Sequence, residues 1–219
     1  MSGLSDFHTH TTLSDGEMIP IELVRRMSVL GYESVAITDH ADSTNLEFLI
    51  ESVMKLKEMG RAYGIEVLAG VELTHIPPAL IPSIARDSRK LGAELVVVHG
   101  ETTIEPVAPG TNYAACTCDD VDILAHPGLI TVEDAVAARE HQVALEITSR
   151  GGHNRTNGHV AATGREQGCL LVVDSDAHGP GDLLDKRAKF AVAMGAGLKK
   201  DECARVLALN SDVFTERRK

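Results

Sequence analysis

Residues 94–101 read Glu94-Leu95-Val96-Val97-Val98-His99-Gly100-Glu101. Consecutive apolar residues, mostly valine, describe a strand buried on both faces. Such strands belong to parallel sheets covered by helices, because a strand with one wet face alternates apolar and polar residues. The run then stops at a histidine and a glycine. Leu170-Leu171-Val172-Val173 repeats the design and runs into Asp174-Ser175-Asp176-Ala177-His178.

Outward from these two runs, β-rich segments alternate with helical patterns along the chain. Strands are predicted over residues 4–8, 34–37, 66–71, 94–98, 122–124, 143–147 and 170–173. Helices are predicted over 21–30 (with Pro20 near the first turn), 46–63, 81–91, 132–141, 159–167, 183–194 and 200–209, with a short one over 111–117. Segment 46–63 reads as one long amphipathic helix, because Leu46, Leu49, Ile50, Val53, Met54 and Leu56 recur at near-helical spacing. Gly168 marks the end of the 159–167 helix. Strict βα alternation makes an α/β protein with a parallel sheet. With no linker, repeat or low-complexity tract, residues 1–219 read as a single domain. The sheet is either a closed barrel or open and doubly wound. No Gly-x-Gly-x-x-Gly or P-loop follows any strand, so the nucleotide-binding version lacks its motif.

Polar residues decide between them. The first strand ends in His8 and His10, which share a face at strand period 2. The second runs into Thr38-Asp39-His40, the third into Gly70-Val71-Glu72, the fourth into His99, the fifth into His126 and the seventh into Asp176 and His178. Only the sixth departs, reading Leu145-Glu146-Ile147-Thr148-Ser149-Arg150. A single histidine after a strand is more often a hydrogen-bonded structural residue than a ligand. Six strand ends that all supply His, Asp or Glu point to a metal cluster on one rim of a closed barrel. His75 and His153 lie on loops at that rim. His141 reads as solvated, and His159 as a helix start.

Composition sets the frame. The chain has 219 residues, 43% hydrophobic but only 3% aromatic and without tryptophan, so its core is aliphatic. A net charge of −11 argues against a nonspecific nucleic-acid binder but leaves room for a small phosphorylated molecule, because bound cations offset charge locally. Cys116, Cys118, Cys169 and Cys203 lack the spacing of a zinc ribbon or redox pair and read as reduced thiols. With no signal-peptide pattern and no apolar run near the ~20 residues that span a bilayer, the expectation is a cytoplasmic protein without a membrane partner.

Together, His8-Thr9-His10 with Ser14-Asp15-Gly16, Thr38-Asp39-His40, Gly70-Val71-Glu72 and Asp176-Ala177-His178 resemble the four motifs of the polymerase and histidinol phosphatase (PHP) family. His99 and His126 are similar to its two further histidines. The resemblance runs from residue 6 to about residue 180. It implies a distorted (β/α)7 TIM-like barrel and up to three divalent ions, commonly zinc, manganese or iron. His8, His10, Glu72 and Asp176 would hold the first ion, and Glu72, bridging, with His99 and His126 the second. Asp15, His40 and His178 would hold the third; some members use a histidine one place after Asp15, where this chain has Gly16. Glu72, Asp176 and His178 become the expected catalytic residues.

Mixed imidazole and carboxylate donors suit those metals better than magnesium or calcium. Ions about 3.5–4 Å apart lower the pKa of a bridging water, and the expected nucleophile is that hydroxide. The leading function is hydrolysis of a small phosphate monoester, as in histidinol-phosphate phosphatases. A phosphodiesterase or exonuclease is the second enzyme reading. An amidohydrolase, which also opens with His-x-His, typically carries a carbamylated lysine where this chain has His99. A non-catalytic ribonuclease-P-like barrel would be basic and stripped of ligands, and this chain is neither.

For substrate, Arg150, His153 and His75 are the candidates, with Arg150 gripping an anion or instead pairing with Glu101 or another acidic loop residue. Lys186 and Arg187 are secondary. Residues 101–110, with Pro106 and Pro109, read as a stiff lid, and the His75-Ile76-Pro77-Pro78 loop as another. Asp39 and Asp174 are expected to orient a histidine, with a strand-end turn cap as the alternative for Asp39.

Overall fold

The computed structural model describes residues 4–209 and 211–215. Its strands are β1 (Leu4–Asp6), β2 (Tyr32–Ile37), β3 (His40–Ala41), β4 (Glu66–Leu73), β5 (Leu95–His99), β6 (Ile123–Ala125), β7 (Ala144–Thr148) and β8 (Leu171–Asp174). All pair in parallel, in the order β1-β2-β4-β5-β6-β7-β8. The two-residue β3 resumes β2 after a break at Thr38–Asp39. Ile37 stands opposite Ala69 of β4, and His40 opposite Glu72.

The expected distorted barrel is therefore present, with one seam between β8 and β1. Above the strands, Thr9 bridges Ala177. The His10 N–H donates to the Ala177 carbonyl and the Asp176 N–H to the His8 carbonyl, each at 2.9 Å. Below, side chains replace the ladder. Phe7 N–H donates to Asp174 Oδ1 at 2.9 Å and Ser175 N–H to Asp6 Oδ1 at 3.2 Å. The buried Lys189 ammonium donates to the Ser5 carbonyl and lies 3.6 Å from Asp174 Oδ1.

The helices are α1 (Pro20–Val29), α2 (Leu46–Met54), α3 (Lys57–Ala62), α4 (Ile81–Lys90), α5 (Thr111–Cys116), α6 (Val132–Glu140), α7 (Asn157–Gln167), α8 (Lys186–Gly195), α9 (Lys200–Leu207) and α10 (Asp212–Thr215). Two differ from expectation. The segment read as one helix over 46–63 breaks into α2 and α3, where Leu56 N–H bonds back to the Val53 carbonyl at 2.9 Å. The break lets α3 lie backbone-close on β4; a Cβ at Gly60 would come within 2.5 Å of Val67 Cγ2. Residues 183–185 stay outside α8 because Asp185 caps it, accepting the Ala188 N–H at 2.7 Å.

Two apolar layers follow from strand period 2. On β5, Val96 and Val98 face the layer shared with the helices, while Leu95 and Val97 face the barrel interior with Ala36, Leu68, Ile123, Ala144 and Val172. Phe214 of α10 joins that interior set and meets Phe7 edge-on at 5.0 Å. The same parity continues upward: His99 follows Leu95 and Val97, Glu72 follows Leu68, and Glu146 follows Ala144. The strands thus aim one histidine and two carboxylates into the barrel axis. No helix among the described residues is long and apolar enough to cross a membrane.

Candidate metal centre

β1 ends at Asp6, sooner than expected, and the histidine pair is set by pinning the chain beyond it. Thr9 Oγ1 donates to the Ala36 carbonyl at 2.6 Å, and Thr9 N–H to Thr38 Oγ1 at 3.1 Å. With Thr9 held outward, His8 and His10 both turn inward and are completely buried. The loop carrying Asp15 is then tied to β2. Asp39 accepts Thr11 N–H and Thr11 Oγ1–H at 2.7 Å and Ser14 Oγ–H at 2.6 Å. Asp39 is therefore a loop anchor and orients no histidine. Asp174 likewise serves the seam. At the end of β6, strand parity alone would point His126 outward; its φ of +27° turns it in. Asp176 sits at φ +51°. Such backbone costs about 1–3 kcal/mol per residue and persists where the surroundings require it.

All the expected ligands come together. His8 Nε2 lies 3.1 Å from His10 Nε2 and 3.4 Å from Glu72 Oε1. His10 Nε2 lies 3.3 Å from Asp176 Oδ1 and 3.6 Å from Glu72 Oε2. Glu72, His99 and His126 form a second group, with His126 Nε2 at 3.5 Å from Glu72 Oε1. In a third, Asp15 Oδ2 lies 3.3 Å from His178 Nε2 and 3.6 Å from His40 Nε2. His10 also joins this group, its Nδ1 at 3.8 Å from Asp15 Oδ1. Donors bound at about 2.0–2.2 Å to one ion stand roughly 3–3.5 Å from each other, so several of these spacings are those of ligands around a metal.

Residues 6–155 match the family model of the PHP domain. The chain belongs to the PHP family. It is 52% identical to the uncharacterized protein MJ1295 of Methanocaldococcus jannaschii over 92% of this chain and 94% of that one. More distant relatives are ribonuclease P protein component 3 of Methanosarcina barkeri (28% identical, over 93% of this chain and 85% of that one) and a probable phosphatase of a Thermoanaerobacter species (26%, over 95% and 90%). Among solved structures, the histidinol phosphate phosphatase of Lactococcus lactis, complexed with zinc, L-histidinol and phosphate, shares the fold. Its TM-score is 0.64 at 15% identity, over 90% of this chain and 94% of that one.

The electrostatics of this PHP domain fit bound cations. Burial alone would raise the Glu72 carboxyl, but the imidazoles of His8, His40 and His99 outweigh it and hold it well below the usual range. Burial opposes charge on His40 too, yet the Glu72 and Asp15 carboxylates lift it to about 10. Burial pushes His99 down to about 3, against the pull of Glu72, and takes His153 down to about 4 with the help of His126. Buried Nδ1 of His10, His99 and His126 has no hydrogen-bond partner, while Glu72 Oε2 lies 2.7 Å from His40 Nδ1. Uncompensated donors and acceptors are costly in a protein interior, and ions held among these side chains would offset part of that cost.

Two residues of this PHP domain escape sequence reasoning. Glu146, on β7, whose end carries none of the expected ligands, lies beneath the cluster. Its Oε1 is 2.7 Å from His8 Nδ1, and its Oε2 accepts the His126 N–H at 2.8 Å. A charged residue in the middle of an apolar strand was the available signal. Glu105, inside the expected lid, reaches His99 Nε2 at 3.2 Å and His153 Nε2 at 3.3 Å. Of the expected substrate contacts, Arg150 pairs with Asp182 at 3.3 Å and not with Glu101, whose carboxylate accepts the Gly110 and Asn112 N–H groups. His75 is half-exposed at the rim, its Nε2 at 3.9 Å from Glu105 Oε2. His153 is buried beside His126. His141 pairs with Asp119, and His159 bonds the Ile130 carbonyl.

Proposed function

We propose that this chain is a metal-dependent phosphoesterase that hydrolyses a small phosphate monoester, with three divalent ions of zinc, manganese or iron. The observation that carries the reading is the convergence of three imidazole–carboxylate groups at one barrel mouth, with Glu72 shared between two of them. His8, His10, Glu72 and Asp176 would hold the first ion, Glu72, His99 and His126 the second, and Asp15, His40 and His178 the third. When bound, such ions activate water and neutralise charge on phosphoryl oxygens.

The chain's own residues do the rest. Glu72 stays ionised in a buried site, so both its oxygens are available as donors. Glu146 accepts the Nδ1–H of His8, which leaves the Nε2 lone pair facing His10 and Glu72. His178 Nδ1 bonds the Asp176 carbonyl at 3.0 Å, which turns its Nε2 toward Asp15. Glu72, Asp176 and His178 thus border the reacting groups and are the proposed catalytic residues. At the rim, the Arg150 guanidinium, partly exposed, can offer two parallel N–H donors to a phosphate. His75 is the second proposed rim contact. The four cysteines form no disulfide, which fits a cytoplasmic enzyme.

Phosphate release by protein reconstituted with manganese or zinc tests the reading. The panel contains histidinol phosphate, nucleoside monophosphates and a phosphate bis-ester. Turnover of monoesters, abolished in His10→Ala, is the expected result. Preferred turnover of the bis-ester would make the chain a diesterase. No turnover of any of them by the metal-loaded protein would favour the non-catalytic barrel.

A further inference from the structure

We infer that His153 is an additional metal ligand beside His126, and that Glu105 closes over the same ion from loop 101–110. The inference rests on the metal-centre reading above. His153 follows β7, the strand whose end supplies none of the ligand residues expected there. Gly151 and Gly152, the latter at φ +93°, swing the chain so that His153 turns back over the barrel mouth. It opens a short 3-10 helix, His153–Thr156, and is only 7% exposed.

Its neighbours are those of a ligand. The His153 ring centroid lies 4.2 Å from that of His126 and 5.9 Å from that of His99. Donor atoms of His126, His153 and Asp176 all lie within 4.8 Å of one another. His153 Nδ1 is buried with no hydrogen-bond partner. Its Nε2 stands 3.3 Å from Glu105 Oε1, while Glu105 Oε2 stands 3.2 Å from His99 Nε2. Glu105 thus stands between the two imidazoles, with one carboxylate oxygen facing each.

The carboxylate is held in place by its own loop. Glu101 Oε1 accepts the Gly110 and Asn112 N–H groups at 2.9 and 3.0 Å, and the Asn112 amide donates to the Pro127 carbonyl at 2.8 Å. Ile104 then packs on Gly152, where a Cβ would come within 2.7 Å of Ile104 Cδ1. The stretch bearing Glu105 and the stretch bearing His153 are therefore packed as one unit over the cluster.

The test is equilibrium dialysis of the full chain against zinc, with ions per chain counted by mass spectrometry, together with the visible spectrum of the cobalt-loaded protein. Variants are His153→Ala, His153→Gln, Glu105→Gln and, as a control, His141→Ala; circular dichroism of the metal-free proteins checks that they fold. His153→Ala is expected to lose one ion or weaken one site by about 100-fold and to change the cobalt spectrum, and Glu105→Gln to weaken it by about tenfold. If His153→Ala does not fold, His153→Gln carries the same expectation. Wild-type ion count, affinity and cobalt spectrum in the folded His153 variants, with only KM raised, would overturn the inference and return His153 to substrate contact. No metal uptake by the unsubstituted chain would overturn both this inference and the metal-centre reading.

Discussion

His8 Nδ1 lies 2.7 Å from Glu146 Oε1, and both side chains are fully buried. A neutral imidazole that donates through Nδ1 presents its lone pair at Nε2. Glu146 therefore sets which nitrogen of His8 faces His10 and Glu72, and through its other oxygen it also fixes the His126 backbone. Glu146→Ala should lower zinc affinity by about 10–100-fold, read by competition with a chromophoric chelator. Unchanged affinity would contradict the role.

Metal uptake should release protons. His40, lifted to about 10 by Glu72 and Asp15 against its burial, is protonated near neutrality in the metal-free chain and must lose that proton to bind an ion. Calorimetric titration with zinc in buffers of different ionisation enthalpy should show net release, and affinity should rise with pH up to about 10. Proton-neutral binding would contradict the charge state.

The metal-free protein should be most stable near the ordinary histidine value. A histidine raised in the folded state, such as His40 at about 10, stabilises fully below the ordinary histidine value of 6.5 and loses that contribution as pH rises through 10. Histidines lowered in the folded state, His99 to about 3 and His153 to about 4, act oppositely, because below 6.5 the unfolded chain binds protons they refuse. Denaturant midpoints below, at and above pH 6.5 should pass through a maximum. A monotonic trend would contradict this.

Lys189 should act as the staple of the β8–β1 seam. Lys189→Met leaves Asp174 and the Ser5 carbonyl buried without their cation, at a cost of about 3–5 kcal/mol in urea unfolding. The double change with Asp174→Asn should recover part of the loss. A loss under about 1 kcal/mol would place the pair among weak surface bridges.

Arg150→Ala should raise KM for a phosphate monoester by about 10–100-fold with kcat little changed, the worth of hydrogen bonds to a charged group. Arg150→Lys should recover part. Unchanged KM would leave Arg150 as a partner of Asp182 only.

Much of this was legible in the residues. Buried runs such as Val96–Val98 announce a parallel sheet, and their polar ends announce its rim, because period 2 carries the inward parity of Leu95 and Val97 straight to His99. What depends on tertiary contact was not legible. The break after Met54 follows from the approach of Gly60 to Val67, invisible to a helical period that runs through it. Glu146 reads as a misplaced charge until His8 is brought to it from the far end of the chain. Asp39 looks like a partner for a histidine and in fact holds Thr11 and Ser14, because the turn at Gly16 folds that loop back onto β2. Glu105 sits in a proline-bearing loop whose path only packing can set.

One barrel mouth is proposed to hold three ions, two of which share Glu72. The most direct measurement is the number of metal ions per chain, by native mass spectrometry of protein stripped of metal and reconstituted with zinc or manganese. Three ions per chain, falling in Glu72→Ala, is the predicted result. A chain that takes up none, or that keeps its full complement without Glu72, would contradict it.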